Sequence, residues 1–150
     1  MRLTFRQLGS DLMLKNFPRL SVLLFAAPAF AQDAAPDCGI YAYKAEIVRI
    51  IDGDTVVADI DLGFNTWRRG EHLRMMGVEA PEAGTLEGDL ATERLRELIG
   101  GRELFICTHK MKRKDREAKG SFGRYLATFY FDGKNINELL LSLGLAVPWE

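Results

Sequence analysis

Four short stretches of this chain carry acids and arginines in settings where charged side chains can do chemistry. Asp52-Gly53-Asp54-Thr55 sets two carboxylates at a tight turn. Arg74 lies in a stretch rich in β-formers, and Glu79 and Glu82 follow it in Gly77-Val78-Glu79-Ala80-Pro81-Glu82, where Pro81 stiffens the loop. Phe122-Gly123-Arg124 then supplies a second arginine ahead of an apolar run. Hydrolysis of a phosphodiester needs this mixture of groups. Hard oxygen ligands hold a divalent cation, which polarises the phosphate and activates water. A further carboxylate orients or deprotonates that water. Guanidinium groups neutralise the pentacoordinate transition state through paired contacts. Taken singly, each stretch has a plainer reading. Asp-Gly between two strands is a hairpin turn, an arginine in a strand is an exposed face residue, and Pro-Glu opens a loop.

The elements that must position these groups follow from periodicity. Tyr43 to Ile51 and Thr55 to Leu62 alternate as two strands around the Asp-Gly turn, and a third is expected from about Trp67 to Val78. Asp89 is expected to cap a helix over Leu90 to Ile99, with Leu95, Leu98 and Ile99 on one side and Gly100-Gly101 as the stop. Glu103 to Thr108 and Tyr125 to Phe131 read as two further strands joined by a basic loop. Asn135, with Glu138 three residues on, caps a second helix in which Ile136, Leu139, Leu140 and Leu143 share a face and Gly144 ends the run. The order β-β-β-α-β-β-α predicts an α+β fold, a five-stranded OB-type barrel with two helices. Barrels of this kind bind nucleic acid or sugars, and the fold alone does not choose between them.

Order and spacing together are more specific than any one stretch. The segments VRIIDGDTV, LRMMGVEAPE, GSFGRYLA and DGKNINELLLSLGLA resemble the staphylococcal nuclease (thermonuclease-like) family, particularly its compact bacterial and phage members, from Lys44 to about Val147. The resemblance implies a calcium-dependent nuclease of DNA and RNA with little sequence preference, leaving 3′-phosphate and 5′-hydroxyl ends. Position by position, it implies that Asp54 and Glu79 are metal ligands and that the backbone carbonyl of Ala80 completes the coordination. Glu82 would be the general base or the group orienting water, Arg74 and Arg124 the phosphate-binding arginines, and Asp52 an acid supporting the metal from behind. Two positions depart from the family pattern. Glu79 stands where aspartate is usual, one methylene longer, and Phe122 replaces a tyrosine that often precedes Gly-Arg. The alternative expectation is a non-catalytic nucleic-acid-binding OB module, and a third is an envelope interaction domain with no affinity for metal or polyanion.

Composition sets the frame. At 150 residues, 47% apolar and 27% charged, the chain has the balance of one globular domain, and no segment is long and apolar enough to span a bilayer. Residues 1–31 read as a signal peptide. Basic Arg2, Arg6, Lys15 and Arg19 precede the apolar run Leu20 to Ala31, which ends in Ala29-Phe30-Ala31, and Met13 offers a start that gives a more compact leader. Secreted or periplasmic residence follows as an expectation, with 32–42 as a flexible lead-in and 43–150 as the domain. Cleavage would leave 16 basic against 20 acidic residues, so attraction for a polyanion must be local. Lys110, Lys112, Arg113, Lys114 and Lys119 form the basic cluster that would guide DNA or RNA, or else a hairpin tip kept soluble by charge. Cys38 and Cys107 can pair in an exported chain, although Cys107 also suits core packing. His72 and His109 are given surface or structural roles, and Trp149 that of a packing residue or a platform for a base. A monomer is expected.

Overall fold

The structure is a computed structural model and describes residues 35–109 and 123–149. The leader and the basic cluster (Lys110, Lys112, Arg113, Lys114, Lys119) lie outside the described residues. A 3-10 turn at Gly39–Tyr41 leads into β1 (Ala42–Ile50), which buries Ala45, Ile47 and Ile50. The break in strict alternation comes from a register slip against the next strand between Ile47 and Arg49. β2 (Thr55–Asp61) is buried along most of its length, as the middle strand between β1 and β3 (Trp67–Met75) must be. β5 (Glu103–Thr108) pairs with β1, and β6 (Tyr125–Phe131) pairs with β5. The barrel closes when β6 returns to β3 in parallel, matching Leu73 to Tyr125, Arg74 to Leu126 and Met75 to Ala127.

This is the expected five-stranded closed barrel with two helices. It carries extra two-residue strands: β4 (Val78–Glu79) pairs with β8 (Val147–Pro148), and β7 (Lys134–Asn135) pairs with the end of β6. The expected third strand is therefore two strands. Gly77, at φ +72°, turns the chain after Met75 and re-aims Val78–Glu79 toward β8.

α1 (Leu86–Ile99) begins four residues before the expected Leu90, and its cap is Thr85 rather than Asp89. The Thr85 hydroxyl accepts the Gly88 N–H at 3.0 Å, while the Asp89 carboxylate accepts the Gly84 N–H at 3.0 Å and locks the loop before the helix. Gly88 discourages a helix on propensity, but close packing requires it, as described below. α2 (Ile136–Ser142) starts at the expected cap, with the Asn135 side chain accepting the Glu138 N–H at 3.3 Å. It ends one residue before Leu143, which is exposed. Leu95 and Ile99 of α1 and Ile136 and Leu140 of α2 are buried with Leu73, Met75, Ile106 and Phe129 of the barrel in one core.

Two fixtures tie distant parts together. Cys38 and Cys107 form a disulfide, with Cα atoms 5.7 Å apart, that fastens the lead-in to β5. Buried Asn137 accepts the Phe129 N–H at 3.0 Å and donates to the carbonyls of Met76 at 2.9 Å and Ala127 at 3.2 Å. It thereby staples α2 to β6 and to the bend that follows β3. Among the described residues no helix is long and apolar enough to cross a membrane.

Candidate active site

The site grows from the β1–β2 turn. The Asp54 N–H donates to the Asp52 carboxylate at 3.0 Å, and the Ile51 N–H reaches the Thr55 carbonyl at 2.9 Å, so the turn is fixed from inside. The Asp54 carbonyl takes the Met75 N–H at 2.8 Å, which docks the turn on the end of β3. These bonds aim the Asp54 side chain inward, where it is only 3% exposed. Its Oδ1 accepts from the Thr55 hydroxyl at 2.9 Å and from Arg74 Nη1 at 2.6 Å, and its Oδ2 accepts the Ala80 N–H at 2.9 Å.

Burial is the largest influence on this carboxyl and pushes it above its ordinary value of 3.8. Hydrogen bonds from Ala80 and Thr55 pull it back, the charge of Asp52 raises it again, and the Arg74 guanidinium lowers it, without cancelling the rise.

Asp52, Asp54, Arg74, Glu79, Ala80 and Glu82 line one pocket of about 120 Å³. Glu79 and Glu82 are exposed on its rim, so the acids pass from a buried end to an open one. Arg124 lies in a neighbouring groove of about 600 Å³ with Gly70, Glu71 and His72. Thr55 joins the two cavities, because Arg124 Nη1 donates to its Oγ1 at 3.2 Å while that hydroxyl donates to Asp54. Of the seven residues expected to serve metal, water and phosphate, the structure brings six into one pocket and links the seventh, Arg124, through one hydroxyl. His109 has a structural partner, its Nε2 lying 2.8 Å from the Thr128 hydroxyl. Burial lowers its imidazole below the usual value.

Small residues let these segments meet. A Cβ on Gly53 would stand 2.6 Å from that of Ala80 and 2.9 Å from that of Ala91, and a Cβ on Gly88 would stand 2.0 Å from the Glu82 carbonyl oxygen. The turn therefore packs against the methyls of Ala80 and Ala91, and the start of α1 packs backbone to backbone on the Glu79–Glu82 loop. The Thr85 hydroxyl adds a bond to that same Glu82 carbonyl at 2.7 Å.

The donor chemistry fits a hard cation, since every candidate ligand is an oxygen. Among the described residues, however, no three acidic, His or Cys side chains form a ready cage. Asp54, the buried donor, has its negative charge matched by Arg74.

Two contributors escaped the sequence reading. Thr55 was read only as the start of a strand, and Asn137 was not singled out. Their roles arise from pairings between remote segments, and of the two only Thr55 carried a local hint, its place beside Asp54.

A barrel of OB type with a pocket lined by acids and Arg74, and with Arg124 in the adjoining groove, defines a class of protein, and the comparisons with known proteins assign the family. The model of the staphylococcal nuclease homologues matches residues 72–150, and the chain belongs to that family. It is 28% identical over 130 residues to the micrococcal nuclease of Shigella flexneri, covering 83% of this chain and 63% of that protein. It is 29% identical over 103 residues to the thermonuclease of Staphylococcus hyicus, covering 67% and 56% respectively. The endonuclease YncB of Bacillus subtilis is 34% identical over 104 residues, covering 65% of this chain and 44% of the relative. The chain thus spans well under two thirds of the length of several of its relatives.

Proposed function

We propose that this protein hydrolyses phosphodiester bonds of DNA, RNA or both, with calcium as the cofactor. The observation that carries the reading is the buried Asp54 carboxylate, ion-paired to Arg74 in a pocket whose open rim bears Glu79 and Glu82. Asp54, Glu79 and the Ala80 carbonyl would hold the cation, with Asp52 fixing the turn behind them. Bound there, a cation supplies Lewis-acid polarisation of a phosphate oxygen.

The rest belongs to the chain's own residues. Arg74 and Arg124 offer guanidinium forks to the phosphate oxygens and gain most where negative charge builds up in the transition state. Glu82, held by its carbonyl against α1 with its carboxylate free at the rim, orients the attacking water and takes its proton. Thr55 keeps Asp54 and Arg124 in a fixed relation. The longer side chain of Glu79 reaches the pocket from β4, where pairing with Val147 steadies its backbone.

We also propose export with loss of residues 1–31, supported by the Cys38–Cys107 disulfide, a bond rare in the cytosol. The basic residues between Lys110 and Lys119 would then draw a polyanion toward a domain of net negative charge. A single domain of this size working as a monomer completes the proposal.

The test uses the 32–150 chain with single-stranded DNA and RNA. Cleavage should require calcium and stop with chelator. Glu82→Gln and Arg124→Ala should each lower kcat by roughly 10² to 10³, the usual loss when one group stabilising the transition state is removed. Salt-sensitive binding without cleavage would instead favour a non-catalytic module.

A further inference from the structure

Arg74 has a second partner that the proposed mechanism does not use. The Trp149 ring lies with its centroid 5.6 Å from the Arg74 guanidinium carbon, within the range of a cation–π contact. This placement is built in. β8 pairs Val147 with Glu79 and Pro148 with Val78, and the Trp149 N–H then donates to the Gly77 carbonyl at 3.2 Å. Three consecutive residues are thus stitched to the segment that follows Arg74, and Trp149 is left 37% exposed.

An arginine side chain is long and loses considerable rotamer freedom when held in one place. In the structure the Arg74 side chain is 15% exposed and anchored on Asp54. Asp54 is also the buried candidate ligand for a cation, so its carboxylate cannot serve Arg74 undivided. An aromatic face holds a guanidinium without neutralising it and without occupying its N–H donors.

We propose that Trp149 is a positioning residue for Arg74, holding the guanidinium beside the acidic pocket with its N–H fork available to phosphate. The proposal rests on the nuclease reading above and adds a residue to it. It requires the π face of Trp149, not its bulk, and it acts only through Arg74.

The test compares Trp149→Phe, which keeps a ring, with Trp149→Leu, which keeps apolar volume alone, each with arginine and with Arg74→Lys. On single-stranded DNA, Trp149→Leu should lower kcat about two- to tenfold with KM nearly unchanged, the size of one cation–π contact. Trp149→Phe should stay within about twofold of the unaltered protein, since a smaller ring keeps most of that contact. With Arg74→Lys, whose ammonium presents a point charge rather than a stacking plane, replacing Trp149 by Leu should cost little more.

A readout independent of cleavage is the ring-current shift of the Arg74 side-chain protons by NMR, present with Trp149 and lost with Leu. Equal activity of the Leu and Phe variants, or an undiminished loss with Arg74→Lys, overturns the proposal while leaving the nuclease reading intact. Absence of cleavage by the unaltered protein overturns both.

Discussion

Asp54 is the residue on which the most demands converge. One carboxylate satisfies a hydroxyl, a guanidinium and a backbone N–H while buried, and the cost of burying it is visible as a raised pKa. A carboxyl raised in the folded state binds its proton more tightly there than in the unfolded chain. Its contribution to stability is therefore complete below the ordinary value of 3.8 and is lost as pH rises through the higher folded value. Asp54→Asn abolishes that titration. Urea unfolding of both proteins at a series of pH values from mildly acidic to neutral should show stability shifting progressively in favour of the Asn variant as pH rises. A flat difference, or one of opposite slope, would remove Asp54 as the buried strained acid. At this scale much of the site was legible. Asp52 and Asp54, then Arg74, Glu79, Ala80 and Glu82, lie in two short motifs whose internal spacing fixes their neighbours. Thr55 was not legible as a site residue, because it works through Arg124, and the contact of Trp149 with Arg74 was not legible because it depends on a two-residue pairing of β4 with β8.

Among the elements, the helix–loop junction is the most exacting. The start of α1 lies so close to the Glu82 carbonyl that the added methyl of Gly88→Ala has no room. Either the helix or the Glu79–Glu82 loop must move. Overpacking of this kind costs about 1–3 kcal/mol, and a shift of about 1 Å at a catalytic group can cost about 10²-fold in rate. Gly88→Ala should therefore lower activity more than its change in melting temperature would suggest, which calorimetry and cleavage rates together would show. An unshifted rate would mean that the loop is not positioned by the helix. The same junction explains why the helix start was misread. A glycine inside a helix counts against it on propensity, and Asp89, the next residue, is a good cap, so local preference pointed to Leu90. The deciding fact was tertiary, the approach of another backbone. Gly77 misled for a local reason, its positive φ ending β3 inside a run rich in β-formers. Where elements were long and periodic, as in β2, β5 and β6, the sequence reading and the structure coincide closely.

For the molecule as a whole, the disulfide and the barrel closure govern integrity. Cys38 and Cys107 are 69 residues apart in sequence, and a loop of that length corresponds to about 4 kcal/mol of restricted unfolded-chain entropy. Reduction, or Cys38→Ser with Cys107→Ser, should lower the urea midpoint by a corresponding amount while leaving the proposed activity nearly intact, since neither cysteine lines the acidic pocket. A midpoint unmoved by reductant would mean that the lead-in contributes nothing to stability. The closure of β6 on β3 has a different consequence. Arg74 sits directly across from Leu126, two residues beyond Arg124, so among the described residues both arginines lie by the parallel pairing that closes the sheet. The pairing of β3 with β6 therefore sets how far apart the two charges stand. That spacing belongs to the closed barrel rather than to either strand alone.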